Sequence, residues 1–179
     1  MRALIFGRAK GVWEEVEAAQ QLCSYDAITA VGRSGIDYPG PIDHWVTWHS
    51  LNFALWVTQR REKGYPDVGK LWSGIHRKVK QPATPNLELH HVPCDGGSSG
   101  MLAVAVNLSV GATHIVLAGI PMDPERGHYD EDRRWVDGAN YLDSWTKFKP
   151  QMDGKVKSMS GWTNALLGGP TQEWLFTLG

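Results

Sequence analysis

Residues 114–120, HIVLAGI, form an apolar run without the polar alternation of a half-solvated strand. A strand of that kind is buried on both faces and needs helices above and below it. It follows SSGMLAVAVNLSVG, an apolar stretch of helical length with Gly111 where a helix would stop. A helix feeding a two-face-buried strand is half of a parallel α/β unit, so this one segment restricts the fold class more than any composition figure.

The same alternation runs along the chain. RALIF (2–6), AITAVG (27–32), HWVTWH (44–49), LELHHV (87–92) and KVKSM (155–159) are further strand candidates, with a shorter one near 71–75. Residues 11–25 carry Val12, Val16, Ala19 and Leu22 at helical spacing. A second helix begins at Ser50, a candidate N-cap, and ends in basic residues. Further helices are expected over 137–148 and 171–177. The expected architecture is a Rossmann-like three-layer α/β sandwich with a mostly parallel sheet, one domain over 1–179, with 121–136 as a lid loop.

Composition excludes several classes. The 179 residues carry a net charge of -1, so no bulk field draws nucleic acid or anionic lipid. Arg60, Arg61, Lys63, Arg77, Lys78 and Lys80 form either a local basic patch or solvated helix ends. Two cysteines, Cys23 and Cys94, make no disulfide framework and suit a reducing cytoplasm. The opening apolar run is too short for a signal peptide, and no segment reaches membrane-span length. Nine tryptophans are expected mainly in packing, with some as flat platforms for a base or sugar. Trp135, Trp162 and Trp174 are candidates for a sugar site or a homo-oligomer interface.

Ligands of open parallel sheets bind beyond the carboxyl ends of the strands. GRAKG (7–11), GRSGID (32–37), His49-Ser50 and Asn52, CDGGSSG (94–100) and PMDPERGHYDEDRRW (121–135) all follow strands. GRAKG is either a tight turn or an anion cradle at a helix N-terminus. Ser98 and Ser99 either cap the following helix or contact a phosphate, ribose or carboxylate, and ligand contact is the preferred reading. Ser160, Thr163 and Asn164 form a capped turn or touch the ligand. His128 is the candidate general base, against the alternative of a loop histidine without a role. His44 and His49, and likewise His90 and His91, point to opposite strand faces, and no Cys/His spacing matches zinc. No G-x-S-x-G elbow is present.

The stretch GGSSGMLAVAVNLSVGATHIVLAGIPMD resembles the core segment of the bacterial sialyltransferases of glycosyltransferase family 42. It is also similar to related 6-hydroxymethylpterin diphosphokinase-like Rossmann domains. The matching elements are Ser98-Ser99-Gly100, Gly111-Ala112 and Ile115 to Asp123, preceded by LIFGRAKGVWEEV, AVGRSGID and HWVTWH. The family's Gly-Asn-Gly-Pro-Ser turn is GRAKG here, and the second-strand Asn is replaced by Gly32 or Arg33. The resemblance implies a nucleotide pocket lined by Gly7, Arg8, Arg33, Ser34, Ser98, Ser99 and Gly100. It implies His128 as base and Tyr129 as a phosphate partner.

The expected function is a small transferase with a nucleotide-linked donor, a nucleotide sugar first, and His128 or Asp123 deprotonating the acceptor. The scheme requires no metal. Asp123, Asp130, Glu131 and Asp132 nevertheless offer oxygen ligands for Mg²⁺, as a diphosphokinase needs. The alternatives are a non-catalytic nucleotide-binding module and a phage-type modifier of nucleic-acid bases.

Overall fold

The protein is described by a computed structural model over residues 1–75, 87–94, 97–132 and 134–177. Seven strands form one sheet: β1 (Arg2–Phe6), β2 (Ala27–Val31), β3 (His44–Val46), β4 (Lys70–Ile75), β5 (Leu89–Pro93), β6 (His114–Ala118) and β7 (Val156–Ser158). Their order is β5-β4-β3-β2-β1-β6-β7 and every described pairing is parallel. The helices are α1 (Val12–Leu22), α2 (Phe53–Glu62), α3 (Ser99–Ser109), α4 (Leu142–Met152), α5 (Gly161–Leu167) and α6 (Gln172–Leu175).

Strand alternation sorts the core into two layers. Ala3 and Ile5 of β1, with Ile115 and Leu117 of β6, pack with α3, α4 and α5. Leu4, Phe6, Val116 and Ala118 point the other way, towards α1, α2 and α6. All eight are fully buried, and each large one contributes about 1.5–3 kcal/mol of burial. This is the expected three-layer sandwich.

α3 lies across β1 to β5 and returns the chain to the far side of β1, where β6 pairs. Its ends are fixed locally. The Ser98 hydroxyl accepts from the Met101 amide at the N-cap. At the other end Ala112 donates to Asn107 and Gly111 to Leu108, a Schellman closure that places Gly111 at φ 89°.

Three local expectations change. β3 stops at Val46: Thr47 N–H makes a last bond to Trp72 O, and the amides after it turn to side chains, Trp48 N–H donating to Ser99 Oγ and His49 N–H to Thr47 Oγ1. Ser50 makes no cap; it opens a 3-10 turn, Ser50–Asn52, that runs into α2. α5 is an additional helix. Among the described residues no helix is long and apolar enough to cross a membrane.

Candidate functional site

The chain leaves β1 towards β2 on one side and reaches β6 on the other, so the carboxyl ends of β1 and β6 flank a topological switch point. A cavity of about 690 Å³ opens there. Glycines permit the close approach beneath it. A Cβ on Gly7 would stand 2.4 Å from the Gly119 carbonyl, and Gly119 itself holds φ 61° against Val12. Met122, buried a few residues on, is the one described non-glycine residue with positive φ, at 51°. Backbone in that region carries strain that surrounding structure must hold in place.

Loop 119–131 docks on the β1 loop as a short antiparallel bridge between Ala9 and His128. Lys10 N–H donates to Gly127 O at 3.2 Å and Tyr129 N–H to Arg8 O at 3.0 Å. The pairing carries the His128 ring to the cavity wall, where it packs 5.8 Å from Trp135. Burial pushes the His128 pKa below its ordinary value and nearby Arg8 adds to that; Glu131 and Asp130 oppose it. The neutral imidazole, the form a general base needs, is therefore favoured.

Arg8 lines the same cavity. Its Nη2 donates to Asp130 Oδ2 at 2.7 Å and to Glu131 Oε1 at 2.6 Å, and Nε lies 2.7 Å from Asp130 Oδ1. Arg33, also on the wall, stands 3.6 Å from Asp130. Asp123 completes the charged lining and accepts from the Glu125 amide.

Gly7, Arg8, Arg33, Ser98, Ser99, Gly100, Asp123 and His128 thus meet at one cavity, although they come from four separate loops. Both serine hydroxyls are engaged by the fold. Ser98 takes Trp145 Nε1–H besides its cap bond, and Ser99 takes the Trp48 amide. What α3 offers a ligand is its first-turn backbone, which has no intrahelical acceptor.

Ser34 and Tyr129 do not line the cavity. Ser34 is fully buried beneath β1 and β2, donating to Val31 O and Phe6 O. The Tyr129 hydroxyl donates to Asp37, and burial followed by that bond pushes its pKa up. Ser160, Thr163 and Asn164 are a bonded turn: Thr163 donates to Ile120 O, and Asn164 to Ser158 O. Trp162 and Trp174 are half-buried and lie off the cavity, Trp174 donating to Gly154 O. Arg60 is neither solvated nor part of a patch, being 1% exposed; Arg77, Lys78 and Lys80 lie outside the described residues.

Two groups of residues escaped sequence reasoning. One is most of an aromatic wall: Trp48, Trp56 and Tyr141 line the cavity beside Trp135, the sugar-site candidate, which stacks on Tyr141 at 6.1 Å. The other is a latch behind the site. Glu15 accepts from the Gly119 amide at 2.7 Å, from Arg126 at 2.5 Å and from Ser160 at 2.6 Å. Arg126 Nε also donates to Lys10 O at 2.7 Å, tying loop 119–131 to the β1 loop and to α1. An acid early in α1 and an arginine in a strand-end loop were the only signals. The acids proposed for Mg²⁺ are dispersed: Asp130 and Glu131 face Arg8, and Asp132 lies 3.8 Å from Lys10. Among the described residues no group of three or more His, Cys, Asp or Glu is arranged to hold a metal. No family model, no curated protein and no solved structure matches this chain.

Proposed function

We propose that the switch-point cavity binds a nucleotide and that the protein is a small transferase acting on a nucleotide-linked donor, a nucleotide sugar being the first candidate. The observation that carries the reading is the convergence of His128, Asp123, Arg8 and the start of α3 on one cavity with an aromatic wall. Amides at the start of α3, residues 97–100, hold phosphate oxygens; in the β1 loop the Gly7, Ala9 and Lys10 amides are already bound to the carbonyls of Ala118, Gly119 and Gly127. The base or sugar packs on the aromatic wall, where burial of flat surface adds affinity. Arg8 or Arg33 stabilises negative charge on the departing phosphate. His128, or Asp123, takes the acceptor proton as the acceptor oxygen attacks and the donor bond breaks.

The test is titration with CMP, UDP, GDP and ATP while thermal unfolding is followed. A nucleotide at a hundredfold its Kd stabilises by about 2.7 kcal/mol. No shift in melting temperature with any of the four at millimolar concentration sinks the reading. Turnover of the matching nucleotide-linked donor, lost in His128→Ala with binding retained, supports the transferase.

A second reading, a non-catalytic nucleotide-binding module, is favoured by the engagement of Arg8 with two carboxylates and of both Ser98 and Ser99 with the fold. Nucleotide binding without turnover of any nucleotide-linked donor selects it.

A further inference from the structure

The charges around the cavity do not add up to an anion trap. Among the described residues Arg8 and Arg33 are the positive groups on its wall, and both face the loop that bears His128. Asp130 bridges the two, lying 2.7 Å from Arg8 and 3.6 Å from Arg33, while Glu131 takes Arg8 at 2.6 Å. The Arg8 pairs are not loose surface pairs, whereas Arg33 is half exposed. The side chains of Arg8, Asp130 and Glu131 are 19%, 16% and 25% exposed, so water screens them incompletely. Two positive and two negative charges cancel. Asp123 on the wall adds a further negative charge, and His128 is biased towards neutrality.

The geometry points to Asp130 and Glu131 as specificity-determining residues, which cancel the field of Arg8 and Arg33 and remove any preference of the cavity for polyphosphate over a single phosphate. The inference rests on the reading of this cavity as a phosphate-bearing ligand site. Arg8 keeps N–H groups for directional hydrogen bonds, but each extra phosphate charge meets the carboxylates as well as the arginines. Affinity then comes from backbone amides and the aromatic wall, and does not climb with phosphate number. Discrimination by a repelling group is a general way to reject a near-relative of the right ligand. The carboxylates and His128 sit on one docked segment, held by the Tyr129-to-Arg8 and Lys10-to-Gly127 backbone bonds. The charge filter is therefore built into the loop that presents the candidate base.

Calorimetric titration of the full chain with inorganic phosphate, pyrophosphate and tripolyphosphate, at low ionic strength and without divalent metal, tests this. The wild type binds the three within a few-fold of one another. Asp130→Asn/Glu131→Gln binds tripolyphosphate tighter by about tenfold or more, the scale of unmasking two half-buried pairs. Its gain is smaller for phosphate. Glu131→Gln alone gives part of the effect and guards against a double variant that fails to fold. A wild-type affinity that climbs steeply from phosphate to tripolyphosphate overturns the inference. So does a folded variant, single or double, that binds tripolyphosphate no better than the wild type. In both of those cases the site reading survives, provided Arg8→Gln loses the binding. If no anion of the series and none of CMP, UMP, GMP and AMP binds any of these proteins, the site reading fails and takes the inference with it.

Discussion

Arg60 and Arg8 are two partly or wholly enclosed guanidinium groups with opposite surroundings. Arg60, at the end of α2, donates to carbonyls: Pro66 and Gly35 at 2.8 Å, Tyr38 at 2.5 Å and Gly40 at 2.6 Å, with the Tyr65 ring against its guanidinium. Burial pulls its pKa down, and no carboxylate bonds it among the described residues. Arg8 faces carboxylates. Burial again works against its charge, but the bonds to Asp130 and Glu131 outweigh that and hold the pKa above its ordinary value. One arginine organises the loop after β2 and is closed to ligands. The other stands at a cavity, paired with two carboxylates of loop 119–131. Donor saturation by backbone marks a structural arginine; pairing with side-chain carboxylates on a docked loop leaves charge that a substitution can unmask.

The largest effect that separates them is on stability. Arg60→Met leaves several buried carbonyls without a donor and costs roughly 3–5 kcal/mol, since each orphaned group costs about 1–3 kcal/mol. Urea denaturation measures it; a loss under about 1 kcal/mol breaks the contrast. Next comes the latch behind the site. Glu15→Ala removes the acceptor of the Gly119 amide, Arg126 and Ser160, at a cost of about 2–3 kcal/mol. Hydrogen exchange of the Tyr129 amide should quicken in that variant if the latch holds the loop. Arg8→Ala costs less, about 1–2 kcal/mol, because it leaves the largely buried Asp130 and Glu131 carboxylates without their partner. Under the proposed reading of the cavity, its effect falls on ligand affinity instead.

A pH profile sharpens the contrast from another side. Burial holds His128, His44 and His114 below the ordinary histidine pKa. The unfolded chain therefore binds protons that the folded chain refuses. Stability is full above the unfolded value of about 6.5 and falls as pH drops below it. His128→Gln should flatten part of that acid loss in chemical denaturation at matched pH values, and an unchanged slope would contradict the burial of its ring. The smallest effect is expected at the exposed Arg61–Asp67 pair: Arg61→Ala should leave the melting temperature unmoved.

The strands and their order of appearance were readable because parallel strands buried on both faces leave short, unbroken apolar runs. RALIF, AITAV and HIVLA match β1, β2 and β6. β3 was read too long since Thr47, Trp48 and His49 have strand-like side chains; only contact with Ser99 and the Thr47 hydroxyl diverts the Trp48 and His49 amides. α5 was missed because Gly161–Leu167 is too short to show helical periodicity. Thr163 and Asn164 hold it from outside the helix hydrogen-bond pattern. Four glycine- or charge-bearing loops were placed at one edge from strand direction alone, and they do line one cavity. Glycine and serine in a turn do not reveal whether a hydroxyl faces a ligand or a neighbour. Ser34, Ser98 and Ser99 were therefore readable as positions and not as contacts.

The sequence by itself determined the parallel α/β layering, since two-face-buried strands and intervening amphipathic helices have few other ways to bury their apolar surface. It also determined which chain segments end at the carboxyl edge of the sheet. Tertiary structure alone decided which charges meet there. Glu15 finds Arg126 across 111 residues, and Arg8 finds Glu131 across 123. Local spacing carries no record of pairings at that distance, because they depend on how the sheet orders its strands.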